Sequence, residues 1–319
     1  MLLDSYPPLQ YLPDALFPVK RQAYSIQKSQ RTLIVKNWLA FRGKMTDGTA
    51  SAQLKQSFSD DLASYTCSSL LIAASETTSQ QLLQLVKAMV LYPEVQRTAR
   101  TEIDRVCGDR MPDEADQENM PYIHAMIKEA CRLMPTLSSV FPHCTVRDDE
   151  YEGYKIPKDT LVIMNIRSLH NDPEHYRDPG TFDPTRYLHD RKSARQSALS
   201  VDVSERDHFL FGAGRRLCSG IDIAEKSMFL SMARILWAFD ISEPVDAEGN
   251  AMTFDPEDME EGVFHASVKF PAEFTPRSQD REQAVKEEWK ATKAALLNEE
   301  GQWKELPKDL PFEPLQSTC

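Results

Sequence analysis

One cysteine stands in the sequence at a place where its sulfur could bind a metal. Cys218 lies in the stretch Phe211–Gly220, F-G-A-G-R-R-L-C-S-G, directly before an apolar pattern with helical spacing. The positive end of that helix dipole and the nearby Arg216 would both stabilise a thiolate. Three glycines leave the backbone of this stretch free for tight turns and close approach: Gly212, Gly214 and Gly220. The stretch therefore predicts a loop that curls beneath a flat ligand and presents a thiolate to it.

A single thiolate can hold a metal when the other ligands come from elsewhere. Iron in haem is the metal most often held in this way, because the macrocycle supplies four in-plane ligands. The alternative is that Cys218 is a small buried hydrophobic residue, as free cysteines generally are. The combination F-x-x-G-x-R-x-C-x-G before an apolar helix favours the haem ligand over that alternative.

The loop closely resembles the haem-binding loop of the cytochrome P450 family. The resemblance implies that Cys218 is the axial ligand of the haem iron, that Arg216 pairs with a haem propionate, and that Phe211 packs near the sulfur side of the ring. The sequence departs from the family pattern at Ser219, where many members carry proline. The implied cofactor is haem (iron protoporphyrin), with electrons from NADPH delivered by a flavoprotein reductase.

A second polar segment lies within a long helical pattern from about Asp60 to Leu91. Its centre, Ala73–Ser79, gathers small and hydroxylated residues whose side chains compete for backbone hydrogen bonds, which weakens or bends a helix. Glu76 beside Thr77 matches the oxygen-side motif of the family, although Ala74 stands where glycine is usual. The resemblance implies that Glu76 and Thr77 relay protons to bound oxygen. The alternative is a polar patch on a bent helix.

A third segment predicts a buried ion pair. Glu129 and Arg132 are three residues apart in a helix predicted over residues 121–133, so they lie on one face and can pair. The later stretch Phe182–Tyr187 resembles the P-x-R-F segment of the family, with tyrosine at its last position. The resemblance makes Glu129, Arg132 and Arg186 a buried structural triad that locks the ligand loop, in which arginine hydrogen bonds offset desolvation. An exposed helix pair is the alternative.

Short strands are predicted between these segments, over residues 140–146 and 151–165. His143 falls where family members place arginine or histidine against the second propionate, and the alternative is an ordinary polar residue. The stretch Leu169–Pro173 resembles the turn that follows this strand in the family and requires only turn chemistry.

Several elements are needed to position these residues. Helices are predicted from Pro93 to Gly108 and from the cysteine to about Phe239, because prolines and glycines mark their ends. The acidic connection over residues 109–118 is typical of a solvated loop, and Gly249–Asn250 is a plausible hairpin turn. The tail from Arg277 contains one weakly amphipathic helix, which we expect to dock on the surface.

The implied architecture is mainly α with a minor β-sheet, equivalent to the C-terminal two-thirds of the cytochrome P450 fold. We expect a partial haem domain over residues 1–276 and a helical and proline-containing extension over residues 277–319. The apolar, proline-rich stretch 1–20 is of a kind that the family carries mid-chain, near a loop that often touches the membrane. We therefore expect a chain that lacks the N-terminal part, with at most peripheral membrane contact through residues 1–20.

Composition sets wider limits on the 319-residue chain. Its hydrophobic content of 41% can fill a substantial core, and its net charge of −12 argues against a nucleic-acid partner. Its six cysteines lack the paired spacing of a disulfide framework or zinc site, which indicates a reducing compartment. No membrane span or signal pattern is present. Family members usually work at the cytosolic face of the endoplasmic reticulum membrane, and this chain is expected to be cytoplasmic or peripheral.

The implied function is monooxygenation, in which one oxygen atom of O₂ is inserted into an apolar small organic substrate. The sequences of these segments are most similar to those of fungal secondary-metabolism members of the family. The alternative is a truncated, non-catalytic family fragment that binds haem poorly or acts only through partner contacts.

Overall fold

The computed structural model describes residues 60–246, 248–256, 258, 267–299, 301 and 304. Within these residues the chain forms seven α-helices, which are α1 (Asp60–Leu91), α2 (Pro93–Cys107), α3 (Pro121–Leu133), α4 (Ile166–His170), α5 (Ala194–Ala198), α6 (Ile221–Ala238) and α7 (Gln279–Leu296). Four short 3₁₀ helices occupy Glu114–Asn119, Pro184–Tyr187, Val203–Glu205 and Gly214–Arg216. A mainly helical fold was the expectation from the sequence, and it is confirmed.

The described residues fall into two compact units. Residues 74–290 form the larger unit, which contains the candidate site. In the smaller unit, the Thr66 hydroxyl donates a hydrogen bond to the carbonyl of Leu62 over 2.8 Å within α1. At the end of α7, the Lys304 backbone N–H donates to the carbonyl of Leu296 over 2.8 Å.

The hydrophobic core of the larger unit lies between four helices. The second half of α1 packs with α2, α3 and α6, because each carries apolar residues three and four positions apart on one face. The fully buried members include Leu85, Met89, Ala99, Ile103, Ile123, Met126, Phe229, Met232 and Leu236. This core is the support on which the loops of the site rest.

Proline and glycine set the ends of α2 and α3 as the sequence predicts. Pro93 and Pro121 occupy first-turn positions, where a missing backbone N–H has no cost. Gly108 follows α2 with φ +58°, a conformation that favours glycine. Its carbonyl accepts a hydrogen bond of 3.1 Å from the Trp237 indole N–H, which joins the end of α2 to α6.

The acidic connection after α2 is not simply a solvated loop, and that prediction is wrong for Asp116. Its side chain is buried and receives two guanidinium hydrogen bonds from Arg110, of 2.7 and 3.0 Å. Asp116 also accepts from the backbone N–H of Asp113 over 2.8 Å, which closes a capping box around the 3₁₀ helix. The segment is therefore an ordered connection that holds a buried carboxylate.

Three antiparallel strand pairs lie within the described residues. Strand β1 (His143–Cys144) pairs with β4 (Leu161–Val162), β2 (Asp149–Tyr151) pairs with β3 (Tyr154–Ile156), and β5 (Phe239–Ser242) pairs with β6 (Glu273–Pro276). The β2–β3 hairpin turns at Glu152 and Gly153, both at positive φ, as a two-residue type I′ turn requires. The predicted turn at Gly249 is present, because Val245 and Ala251 form an antiparallel bridge around it.

Within the larger unit, a two-arginine clamp holds the start of helix α7. Asp104 of α2 accepts hydrogen bonds from Arg277 and Arg281, of 2.5 and 3.0 Å, and the Arg281 guanidinium stacks over the Trp237 ring at 5.1 Å. Val285 packs against the core as the predicted docking requires. Trp289 of the same helix is 61% exposed.

Several predictions fall outside the described residues. They concern the apolar entry segment 1–20 and the proline-containing part of the extension, with prolines 307, 311 and 314. Among the residues that were searched, no helix combines the length and apolar character needed to cross a bilayer.

Candidate functional site

The cysteine loop, residues 209–220, is closed by backbone hydrogen bonds. The N–H of Cys218 donates to the carbonyl of Phe211 over 2.9 Å, and the N–H of Gly212 donates to the carbonyl of Phe209 over 2.9 Å. Cys218 is a free cysteine with an exposed side chain. The loop therefore presents the thiol outward on a hydrogen-bonded turn, and the reading of Cys218 as a small buried hydrophobic residue does not hold.

Two of the three loop glycines are needed for backbone conformation. Gly212 and Gly214 have φ of +77° and +64°, where a side chain is strained. A Cβ atom on the buried Gly212 would lie 3.8 Å from both the Arg216 carbonyl and Val140 Cγ1. Gly220 has an ordinary φ of −89°. A Cβ there would lie 3.9 Å from Cys218 Sγ, so this glycine leaves space around the sulfur.

Phe211 fixes the loop to the protein interior. Its half-buried side chain packs against both the main core and a smaller cluster formed by Ala194, Ala198 and Ile221. Its ring also lies 5.6 Å from the ring of the buried His208. The start of the loop is thus anchored by packing, while the part after it reaches solvent.

Glu129, Arg132 and Arg186 are brought together by the structure. Glu129 and Arg132 are fully buried on α3 and share two hydrogen bonds, of 2.8 and 2.7 Å. The Arg186 Nε donates to Glu129 Oε1 over 3.3 Å, and the backbone N–H of Asp183 donates to the same oxygen over 2.9 Å. Buried charges are stable only when paired and hydrogen-bonded, which this carboxylate achieves with four donors. The exposed helix pair is excluded.

The two arginines also bind the backbone of the segment that follows α4. Arg132 Nη1 donates to the carbonyls of His170 and Pro179, both over 2.8 Å, and its guanidinium lies 5.0 Å from the Tyr176 ring. Arg186 donates to the carbonyls of Arg177 and Asp178 over 2.5 and 2.9 Å. The triad thereby fixes residues 170–181 in addition to itself.

His170 joins this segment to the cysteine loop. The prediction that the stretch Leu169–Pro173 requires only turn chemistry is therefore wrong for His170. It is fully buried at the end of α4. Its Nδ1 lies 2.8 Å from the carbonyl of Arg132, and its Nε2 accepts the N–H of Phe209 over 2.7 Å. Burial lowers the pKa of His170 to about 4, and the positive charge of Arg132 acts in the same direction.

A buried acid pair lies just before the loop. Lys128 Nζ is 2.7 Å from Asp207 Oδ2 and 3.0 Å from Asp190 Oδ2. Burial raises the pKa of Asp207 to about 6, even though Lys128 opposes this. Asp190 is the less buried of the two, and hydrogen bonds from Asp207 and Lys128 outweigh its own desolvation and lower its pKa. Of the two carboxyl groups, Asp207 is therefore the first to take up a proton as the pH falls. This cluster could not be predicted from the sequence, because Lys128 is 62 residues from Asp190.

His143 lies on a segment with exposed apolar side chains. It is itself exposed on β1, where it pairs with Val162. Phe141, Leu161 and Ile163 are 66%, 63% and 57% exposed. Val140 of the same segment is the residue that Gly212 approaches. The cysteine loop and an exposed apolar strand pair are therefore neighbours.

Glu76 and Thr77 lie on α1, which runs through this region as one continuous α-helix. Glu76 is exposed and Thr77 is half-buried. The predicted competition for backbone hydrogen bonds is present at Ser79, whose hydroxyl donates to the carbonyl of Ser75. One turn beyond Thr77, the buried Gln81 accepts from the N–H of Thr136 over 3.3 Å. Helix α1 is thereby tied to the chain segment that leads to Val140.

The donor set of this region fits a flat, apolar and anionic ligand that contains iron. A free thiol is a soft donor suited to iron. Two exposed cations, Arg215 and Arg216, precede it, and exposed apolar side chains lie on the β1–β4 pair, which Val140 of the loop contact precedes in the chain. Haem would match each of these features. Its iron would suit the sulfur, its propionates the cations, and its apolar ring the apolar side chains.

The chain is similar to cytochrome P450 proteins in every comparison. The sequence model of the cytochrome P450 family matches residues 2–257. The chain is 42% identical to cytochrome P450 monooxygenase virE of Hypocrea virens, over 98% of the chain and 59% of that protein. It is also 42% identical to cytochrome P450 monooxygenase fsoB of Humicola fuscoatra, with the same two coverages.

A solved zebrafish cytochrome P450 with abiraterone is similar in structure. It has a TM-score of 0.59 and 28% sequence identity, over 70% of this chain and 49% of that one. The chain thus spans about three-fifths of the length of the curated relatives it matches.

Proposed function

The chain belongs to the cytochrome P450 family, and on that premise we propose that Cys218 is the axial ligand of a haem iron in a monooxygenase. Members of this family use haem, which when bound supplies the activation of O₂ for insertion of one oxygen atom into an apolar small organic substrate. The observation that carries the proposal is the exposed free thiol of Cys218 on a loop anchored by a buried charge triad.

The residues around the sulfur have separate tasks in this proposal. Arg216 and His143 would hold the two propionates, since both are exposed and Val140, three residues before His143, lies beside Gly212 of the loop. Phe211, packed against the protein interior, would lie near the sulfur side of the ring and hold the loop in position. Gly212 and Gly214 allow the backbone to curl under the ring, and Gly220 leaves space beside the sulfur. The Glu129–Arg132–Arg186 triad is structural and keeps the loop in place.

Protons for the reaction pass, in this proposal, through Glu76 and Thr77. The Glu76 side chain is exposed to water. The adjacent Thr77 is half-buried, so its hydroxyl can transfer a proton toward the interior. Both residues lie one turn before Gln81, which ties α1 to the segment beside the cysteine loop.

We infer the redox partner, the substrate class and the cellular location from the family. Electrons come from NADPH through a flavoprotein reductase that docks on the cysteine side, and the substrate belongs to fungal secondary metabolism. The similarity to virE and fsoB of two fungi supports this assignment. Residues 1–276 supply part of the haem domain, and residues 277–319 form an extension that begins with the α7 clamp. The setting is the cytosolic face of the endoplasmic reticulum membrane, touched peripherally through residues 1–20.

The proposal is tested by the absorption spectrum of the reduced protein with carbon monoxide, after expression with a haem precursor. We expect the red-shifted Soret band of a thiolate-ligated adduct. Cys218→Ser should abolish that band, because serine cannot supply the thiolate. Cys144→Ser, at another exposed free cysteine, should leave it unchanged. Absence of haem from the purified protein would contradict the proposal and favour the non-catalytic fragment.

A further inference from the structure

We propose that His170, in its neutral form with the proton on Nδ1, is a positioning residue that ties the cysteine loop to the charge triad. The relation of His170 to the loop is a property of the fold. Its consequence for haem rests on the function proposed above.

The positions of the neighbouring atoms assign the tautomer of His170. The backbone N–H of Phe209 can only donate, so the Nε2 atom 2.7 Å away must accept. The carbonyl of Arg132 can only accept, so the Nδ1 atom 2.8 Å away must donate. Both ring nitrogens of a fully buried imidazole are therefore used, and only the neutral Nδ1–H form satisfies both partners.

A continuous path of contacts leads from the triad to the sulfur. Arg132 binds the Glu129 carboxylate with its guanidinium, and its carbonyl accepts from His170. His170 accepts from the N–H of Phe209, and the carbonyl of Phe209 accepts from Gly212. The carbonyl of Phe211 then accepts from the N–H of Cys218. His170 is the step at which this path enters the cysteine loop.

Protonation of His170 would break the path at that step. An imidazolium carries an N–H on both nitrogens, so Nε2–H would face the N–H of Phe209, donor against donor. The groups that face the ring from the neighbouring elements are the cationic guanidinium of Arg132 and the ring of His208, which lies edge-on at 6.1 Å. Neither offers a negative charge to an imidazolium.

The pH range of the link follows from the direction of the shift. The pKa of His170 is about 4 in the folded chain and about 6.5 when unfolded, because burial disfavours the charged form. In the folded chain the neutral link is therefore lost as the pH falls through about 4, while its contribution to stability is complete above about pH 6.5.

The first experiment reads the wild-type chain directly. With ¹⁵N-labelled histidine, long-range ¹⁵N–¹H correlation spectra of the seven histidines distinguish the two tautomers and the imidazolium. At pH 7 we expect the His170 signals, assigned by their loss in His170→Phe, to report a protonated Nδ1 and a bare Nε2. An Nε2–H tautomer or an imidazolium would overturn the proposal. So would a bare Nε2 that persists well below pH 4.

The second experiment compares variants by hydrogen exchange. In His170→Phe, exchange of the Phe209 amide should accelerate by about tenfold or more, because its acceptor is removed. His189→Phe, at an exposed histidine near the same segment, should leave that rate within about twofold. Unchanged exchange in His170→Phe would overturn the proposal. If His170→Phe fails to fold, His170→Gln serves for the assignment, because burial also lowers the pKa of the neighbouring His208 and a low-titrating signal alone does not identify His170.

A spectral readout connects the link to haem. In His170→Phe with carbon monoxide, the fraction of thiolate-type Soret absorption at pH 7 should fall at least about twofold relative to His189→Phe, since the loop loses its anchor. An equal fraction in both variants would overturn the positioning role. If the wild-type chain holds no haem, the proposed function fails, while the tautomer and exchange measurements still decide the role of His170.

Discussion

At the scale of single residues, α3 supplies two buried charges that face different clusters. Lys128 reaches Asp190 and Asp207, while Glu129, the next residue, holds Arg132 and Arg186. One turn of α3 thus holds two chain segments that precede the cysteine loop, one through Lys128 and one through Glu129. Removal of either charge leaves its partners buried without compensation, which costs more than the pair itself contributes.

Glu129→Gln should destabilise the chain strongly. The amide keeps the shape of the side chain but leaves the fully buried Arg132 guanidinium without its counter-charge. We expect the free energy of unfolding to fall by about 3–5 kcal/mol in urea titrations. The matched control is Glu118→Gln at an exposed position, which should stay within about 0.5 kcal/mol of the wild type. A loss below about 1 kcal/mol for Glu129→Gln would show that Arg132 finds another partner.

At the scale of elements, the cysteine loop depends on backbone conformations that only glycine adopts easily. Gly212 and Gly214 both lie in the left-handed region, and Gly212 is also packed against Val140. The loop is therefore shaped by its glycines on the inside and held by Phe211 and His170 at its start.

Gly212→Ala should lower the free energy of unfolding by about 1–2 kcal/mol, because an alanine at φ +77° is strained. Gly180→Ala is the matched control, since Gly180 lies outside the left-handed region and a Cβ there meets no atom within 4 Å. It should be neutral or stabilising by up to about 1 kcal/mol. Thermal and urea unfolding of both variants measure the difference. Equal stability of the two variants would contradict the assigned loop conformation.

Helix ends and the meeting of Glu129, Arg132 and Arg186 were open to prediction from sequence. Prolines at first-turn positions leave a local signature, and the triad has side chains of opposite charge in recognisable segments. His170 left no such signature, because its partners are backbone groups 38 and 39 residues away. Any residue type supplies those groups. The assigned roles of Cys218, Arg216, His143, Glu76 and Thr77 stay predictions.

At the scale of the whole molecule, buried ionisable groups oppose each other in the pH dependence of stability. His170 stabilises the fold above about pH 6.5, and that contribution is lost as the pH falls through about 4. Asp207 acts in the other direction. Its pKa is raised to about 6 on folding, so its contribution is present below about pH 3.8 and is lost as the pH rises through about 6.

Asp207→Asn should therefore steepen the rise of stability between about pH 4 and 6. Asparagine cannot titrate, so the variant loses the Asp207 contribution, which decreases as the pH rises, and keeps that of His170. Its free energy of unfolding should therefore rise relative to that of the wild type by up to about 1.4 kcal/mol per pH unit. Urea unfolding at several pH values measures this difference. Asp109→Asn, at an exposed position, should follow the wild type in parallel. A pH-independent difference between Asp207→Asn and the wild type would contradict a raised pKa of Asp207 in the folded chain.

The α7 clamp has a consequence for synthesis. Asp104 is separated from Arg277 and Arg281 by 173 and 177 residues, yet both arginines bind its carboxylate. At ribosomal rates of about 5–20 residues per second, roughly 10–35 s pass between the emergence of α2 and that of its partners. During that interval Asp104 lacks both of its arginine partners, although the four core helices are complete by residue 238. The clamp is therefore a late event in the synthesis of each molecule.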